Sequence, residues 1–213
     1  IIYTLTVSAA EDIARLLREA GHEVASYTGR TDLEERERLE QALKNNEVKA
    51  LIATSALGMG FDKPDLGFVL HVGAPSSPVA YYQQVGRAGR GSINADVLLL
   101  PGPDDSEIWE YFATSSMPDQ VRATQVLEAL AGTDGAMSVP ALESAVNLRR
   151  SPLELLLKVL AVDGAVERVA GGWMRTDMPW TYDADRYKRV AQSRIHEQNL
   201  MVNYENTRGC RMQ

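Results

Sequence analysis

The sequence predicts an α/β chain: a parallel sheet with helices on both faces over about the first hundred residues, then a smaller, mainly helical segment. Three observations carry this. Short apolar runs of strand type alternate with longer helix-type runs from Ile1 to Leu100. The helix-type runs open on Ser, Thr or Ser-Pro and several close on glycine. Beyond Asp119 three short helical patterns follow one another before a Gly-Gly pair. Strands that alternate with helices pair in parallel, because each crossover returns the chain to the same end of the sheet.

"IIYTLTV" (1–7) reads as the first strand. "SAAEDIARLLREAG" (8–21) reads as a helix, with Ser8 and Glu11 as a capping box and Gly21 as its stop. "HEVASY" (22–27) is the second strand, and "TDLEERERLEQALKNN" (31–46) a helix opened by Thr31 and Glu34. "VKALIAT" (48–54), "GFVLHV" (67–72) and "ADVLLL" (95–100) are apolar strands of the buried type. Between the last two, "SSPVAYYQQVGRAG" reads as a helix opened by Ser77 and Pro78. "PGPDD" (101–105) breaks the pattern, and "SEIWEYFATSS" follows as a connecting helix. Its stripe of Ile108, Trp109 and Phe112 is expected to pack into a core.

The rhythm then changes. "DQVRATQVLEALAG", "SVPALESAVN" and "SPLELLLKVLAVDG" are three helices, the last opened by Ser151, Pro152 and Glu154. "AVERVAGGWMRT" is a hairpin across Gly171–Gly172. Three short helices and a hairpin are the order of a winged helix. Arg149 and Arg150 then precede its third helix and Arg168 and Arg175 lie on the wing, positions that often meet phosphates. A packing module accounts for the same pattern. Residues 183–213 read as polar helix and hold the most basic run, with Arg186, Lys188, Arg189 and Arg194. Such a charge run is more often a solvated face than a DNA contact. The expected organisation is therefore 1–103, a connecting helix over 104–118, a winged-helix-like domain over 119–178, and a helical segment over 179–213.

Composition narrows the function. A net charge of −7 argues against a basic nucleic-acid coat, so any such contact is local. The charge is uneven: residues 104–182 carry a net −6 and residues 183–213 a net +2. No apolar run reaches the ~20 residues of a membrane helix. The opening is strand-like, with no signal peptide, and both ends read as cut from a longer chain. A lone cysteine, Cys210, forms no internal disulfide and suits a reducing interior.

Chemistry concentrates in two stretches. In "YYQQVGRAGRG" (81–91), Gln83, Arg87 and Arg90 stand at i, i+4 and i+7, and on a continuing helix they share one face. Gly86 and Gly89 leave room beside it for a large anion, and two guanidiniums offer forked donors to phosphate. In "ATSALGMGFDKPD" (53–65) a strand ends in the hydroxyls of Thr54 and Ser55, in Gly58 and Gly60, which permit unusual backbone geometry, and in Asp62. Asp62 suits a ribose hydroxyl or a metal-bound water, or the capping of backbone amides. No Gly-Lys pair occurs in the chain, so no phosphate loop of the GxxxxGK[ST] kind is present.

Taken together the two stretches resemble motifs V and VI of superfamily 2 helicases. "GMGFDKPD" with "YYQQVGRAGR" resembles the RecQ family in particular. "IIYTLT" is similar to that family's motif IV strand, and "YTGRTDLEER", with Gly29 and Arg36, to a further segment. The resemblance is strong over 1–100 and weaker beyond, where "YENTRGCRMQ" is similar to the start of a four-cysteine zinc module.

The resemblance implies a RecA-like second motor domain of an ATP-dependent 3′-to-5′ DNA helicase, with ATP and Mg2+ as cofactors and Zn2+ in the full-length protein. It implies single-stranded or forked DNA and the upstream RecA-like domain of the same parent as partners, and a cytoplasmic, chromosome-associated setting of bacterial type. It implies Arg90 as an arginine finger, Arg87 as a second phosphate or network contact, and Gln83 as a coupling residue. Gly60 and Asp62 lie near the nucleotide, and Thr54 and Ser55 face DNA phosphates. This chain alone is expected to hydrolyse no ATP.

Departures accompany it. Gly91 stands where the family has Asp, and Thr28 where it has His. The winged-helix-like segment precedes the zinc module instead of following it. Cys210 is a single thiolate where a structural zinc site takes four ligands, so in this chain it is expected to be a free thiol. A DEAD-box-like RNA helicase or a duplex translocase is the first alternative, against which stands Tyr82-Gln83 in place of His-Arg. A non-enzymatic DNA-binding or scaffolding module is the second.

Overall fold

A computed structural model describes residues 1–58, 60–91, 94–115 and 118–209. Its five-stranded sheet has the order β2-β3-β1-β4-β5, and every pairing in it is parallel. The strands are β1 (Ile2–Thr4), β2 (Val24–Tyr27), β3 (Ala50–Ala53), β4 (Phe68–Val72) and β5 (Asp96–Leu100). Alternation sorts their side chains into two layers. Tyr3, Leu51, Ala53 and Val69 enter a core with Leu39 and Leu43 of α2 (Leu33–Lys44). Ile2, Ala50 and Ile52 face Ala10 and Ala14 of α1 (Val7–Glu19). Helices thus cover both faces, as the sequence predicts.

Strand β5 departs from expectation. Val97, Leu98 and Leu100 are 46%, 53% and 46% exposed. An apolar run cannot tell a central strand from an edge strand, and β5 is the sheet's last strand.

Two helix starts differ from the expected ones. Helix α1 is capped by Thr6, whose hydroxyl accepts from the Ala9 amide at 3.2 Å, so Ser8 lies inside the helix. Helix α2 is capped by Asp32, which accepts from the Glu35 amide at 2.9 Å. Thr31 uses its hydroxyl instead to accept from the Thr28 amide at 3.0 Å. Gly21 closes α1 with φ +87°, as expected.

The chain divides into two compact units: Ile1–Trp109 with Ile195–Gln213, and Glu110–Arg194. The divisions fall within α4 (Asp105–Ser115) and α8 (Ala184–Asn206). The sequence instead set 179–213 apart as its own segment. In the first unit, Trp109 of α4 is buried and donates its indole N–H to the Ala74 carbonyl at 2.8 Å. Met201 and Tyr204 of α8 pack there with Tyr81.

The second unit holds α5 (Gln120–Ala131), α6 (Val139–Val146), α7 (Arg150–Val162) and the antiparallel hairpin β6 (Val166–Val169) and β7 (Gly172–Arg175). This is the expected winged-helix-like order. One core joins all three helices to the hairpin, through Val126 and Leu130, Leu142, Leu153 and Leu157, and Val166. The hairpin turns one residue earlier than expected, at Ala170–Gly171, and Gly172 opens β7. Phe112, expected in a core, is 51% exposed in this unit. Asp163 anchors its end: the carboxylate accepts from Arg186 at 2.6 Å, Tyr187 at 3.1 Å and Trp180 at 3.2 Å. Burial pushes this carboxyl up, but the three donors outweigh it and hold the group below its usual range.

Candidate functional site

Parallel order brings the carboxyl ends of the strands to one edge, where ligands of open α/β sheets bind. After β2 lies the turn Thr28–Thr31. Arg36 of α2 holds it, donating to the carbonyls of Thr31 at 2.8 Å, Thr28 at 3.1 Å and Gly29 at 3.2 Å. After β3 come Thr54, buried, and Ser55, exposed. The Thr54 hydroxyl accepts from the Ala56 amide at 3.4 Å.

The loop that follows is anchored by residues the sequence reading did not weigh. Phe61 is buried, with the Lys44 ammonium 5.5 Å above its ring. Lys63, also buried, donates to both Asp65 oxygens at 2.9 Å and to the Lys44 carbonyl at 3.4 Å. The Lys63 hydrogen bond holds the Asp65 carboxyl below its usual range. Neither Gly58 nor Gly60 takes a positive φ, so the expected unusual geometry is not there. A Cβ on Gly60 would meet open space.

The second stretch begins on α3 (Pro78–Val85), capped by the Ser77 hydroxyl as expected. The helix ends at Val85, short of both arginines, so Gln83, Arg87 and Arg90 do not share a helical face. Two tertiary bonds pull the chain away instead: the Gly89 amide donates to the Leu66 carbonyl at 3.2 Å and the Gly91 amide to Pro64 at 2.7 Å. Gly89 accepts the resulting φ of +73° at little cost. At Gly91 a Cβ would lie 2.9 Å from the Pro64 Cβ, so the Asp of the resembled family has no room here without a shift.

The arginines separate sharply. Arg87 is 8% exposed and donates Nη1 to the Phe61 carbonyl and Nη2 to the Gly58 carbonyl, each at 2.9 Å. Arg90 has a side chain 51% exposed. It donates Nη1 to Asp62 Oδ1 at 3.0 Å and Nε to the Gly86 carbonyl at 2.8 Å. Gln83 is exposed, while its neighbour Gln84 reaches inward to His71 Nε2 at 2.8 Å. The geometry therefore brings Asp62, Arg87 and Arg90 together around residues 58–62 and leaves Gln83 outside that set.

In the second unit Arg149 and Arg168 are exposed, with no partner among the described residues. Arg150 pairs with Glu154 at 2.9 Å, and Arg175 donates to the Leu127 carbonyl at 3.3 Å. Helix α7 begins at Arg150, one residue before the expected Ser151, and its cap position, Arg149, makes no side-chain capping bond. Cys210 lies outside the described residues. Among the described residues no group of three His, Cys, Asp or Glu is placed to hold a metal ion, and no helix is long and apolar enough to cross a membrane.

Residues 1–92 match the family described as Helicase conserved C-terminal domain. An "ATP-dependent DNA helicase RecQ" of Pasteurella multocida is 37% identical over 105 residues, 49% of this chain and 17% of that protein. The protein so named in Bacillus subtilis is 34% identical over 116 residues, 54% of this chain and 20% of that protein. The "ATP-dependent DNA helicase Q1" of Pongo abelii is 36% identical over 105 residues, 49% of this chain and 16% of that protein. The matched region thus spans a fifth or less of these relatives. Among solved structures, the C-terminal domain of the DEAD-box protein Dbp5 aligns with 52% of this chain and 68% of that chain, at 28% identity and a TM-score of 0.43.

Proposed function

We propose that this chain is the second half of an ATP-dependent 3′-to-5′ DNA helicase motor, because residues 1–92 match the helicase conserved C-terminal domain family and are similar to RecQ DNA helicases. The observation that carries it is Arg90. Its half-exposed guanidinium sits beside the solvent-facing carboxylate of Asp62, next to the loop that follows β3. Such an arginine fits the role of a finger supplied to a nucleotide whose phosphate loop lies on another domain.

ATP with Mg2+ supplies the phosphoryl group and the cation that neutralises its charge. Of the residues here, Arg90 fits the γ-phosphate and Asp62 and Gly60 suit the nucleotide's flank; the Mg2+ ligands belong to the partner domain. Arg90 stabilises charge as it develops on the transferred group. Thr54 and Ser55, with Arg149 and Arg168 of the second unit, are the proposed phosphate contacts to single-stranded or forked DNA. Closure of the cleft on ATP then shifts one DNA-gripping domain relative to the other.

The test is ATP hydrolysis by the full-length parent, with and without single-stranded DNA, beside its Arg90→Ala variant. DNA-stimulated turnover that falls by about 10³-fold in the variant is expected. Turnover indifferent to Arg90 overturns the finger; turnover absent from the parent favours a non-enzymatic binding or scaffolding module. Stimulation by RNA in preference to DNA selects the RNA-helicase alternative. Unwinding of 3′-tailed but not 5′-tailed duplexes checks the polarity.

A further inference from the structure

We propose that α8, over residues 184–194, presents Lys188, Arg189 and Gln192 to the phosphate backbone of duplex DNA, at the paired arm of a fork. The inference rests on the motor reading above and extends it to a surface which that reading leaves unused.

Three features carry it. First, the positive charge is local. Residues 184–194 hold four cations against one acid, Asp185, although the unit Glu110–Arg194 carries 10 Lys and Arg against 11 Asp and Glu. Second, the four cations divide into two that hold the helix and two that do not. Arg186 donates to Asp163 at 2.6 Å, and the buried Tyr187 donates its hydroxyl to the same carboxylate at 3.1 Å. Arg194 donates to the Ala113 carbonyl at 2.9 Å. Lys188 and Arg189 are exposed, with no side-chain partner among the described residues, and Asp185 forms no ion pair with either there. A helix pinned at both ends of this stretch holds its two free cations in a fixed direction, which lowers the ordering cost of a contact.

Third, the outward chemistry suits a backbone and not an unpaired base. By helical spacing Arg189 and Gln192 lie opposite Tyr187, and Lys188 flanks them. Gln192 is exposed and adds an amide donor one turn on from Lys188. The one ring of the stretch, Tyr187, is buried, so nothing on this face stacks a base of a single strand. Cations and an amide without a ring fit the phosphates of a duplex, whose bases already stack on one another.

The experiment uses the full-length parent and its Lys188→Gln/Arg189→Gln variant. Fluorescence anisotropy over a salt series measures affinity for a blunt duplex and, separately, for a single strand of the same length. We expect duplex binding to weaken about tenfold at low salt, and the slope of log affinity against log salt to become shallower by about 1.8, for two lost contacts. Single-strand affinity and melting temperature should stay as in the wild type. Arg186→Gln should melt lower, because Asp163 loses a charged donor.

An unchanged duplex slope assigns the two cations to solvent or to an acidic protein and overturns the proposal. A loss confined to the single strand overturns it as well. So does a melting temperature that falls as in Arg186→Gln, which makes the pair structural. Should the double variant not fold, p-benzoylphenylalanine in place of Gln192 decides: photocrosslinks to the duplex support the contact, and their absence overturns it. ATP hydrolysis by the wild type with single-stranded DNA is read in parallel. Its absence removes the motor reading while the duplex slopes still decide α8; turnover with an unchanged slope leaves the motor standing and removes this surface.

Discussion

At the scale of single residues, exposure decides what two identical side chains do. Arg87 and Arg90 stand three positions apart in a repeated Gly-Arg pattern, and the sequence offers no reason to treat them differently. Burial and two carbonyl acceptors make one a brace; the other is half exposed and pairs with a carboxylate. His71 shows the same dependence on surroundings. It is buried on β4, stacks 5.2 Å from Tyr3 and bonds Gln84. Burial pushes its pKa below the ordinary 6.5, and the Gln84 bond opposes this only in part. The folded chain therefore keeps His71 neutral where the unfolded chain takes up a proton. Its contribution to stability is present above about 6.5 and is lost as pH falls below that value, by at most about 1.4 kcal/mol per pH unit. Thermal melts from pH 7.5 to 5.5 should show Tm falling, with a shallower slope in His71→Gln. Equal slopes in the two proteins would remove His71 as the cause.

At the scale of elements, tertiary hydrogen bonds overrule local periodicity. The pattern of "SSPVAYYQQVGRAG" continues as a helix on paper, yet α3 stops at Val85 because the Gly89 and Gly91 amides bond to the loop at 64–66. Glycine's weak helix propensity lets those distant acceptors win. The helix caps at Thr6 and Asp32, by contrast, are local bonds across three residues. The hairpin carries a sharper demand. Gly172 has φ +148°, and a Cβ there would overlap the Met137 carbonyl, which accepts from the Trp173 amide at 2.9 Å. Gly172→Ala should destabilise the second unit by about 3 kcal/mol, through overpacking and backbone strain together. Denaturant unfolding followed by tryptophan fluorescence checks this, since Trp173 and Trp180 report on that unit. A loss under about 1 kcal/mol would show that the chain relaxes around the methyl.

At the scale of the whole molecule, the division into units redistributes the charge. By sequence blocks the acidity lies at 104–182 and argues against nucleic-acid contact there. The unit Glu110–Arg194 carries 10 Lys and Arg against 11 Asp and Glu, a net −1, and the other unit holds the remaining −6. The electrostatic objection to phosphate contact by Arg149 and Arg168 is correspondingly weaker. If both meet phosphates of single-stranded DNA, replacing them with Gln makes the slope of log affinity against log salt shallower by about 1.4. Fluorescence anisotropy of labelled DNA on the full-length parent, over a salt series, reads this directly. An unchanged slope assigns the two arginines to a solvated face.

The sequence by itself determined the parallel α/β class, the helix-helix-helix-hairpin order of the second unit, and the association of the Asp62 stretch with the two-arginine segment. These are legible because strand and helix periodicity, caps and glycine stops act over a few residues. Tertiary structure alone decided that α3 ends before the arginines, that Arg87 turns inward and Arg90 outward, that β5 is an exposed edge, and that Ile195–Gln213 belongs with the first unit. Each of these depends on acceptors or packing surfaces far away in the chain. The carbonyls of Gly58 and Phe61 lie 29 and 26 residues from the arginine they hold, and no local pattern marks them as its partners.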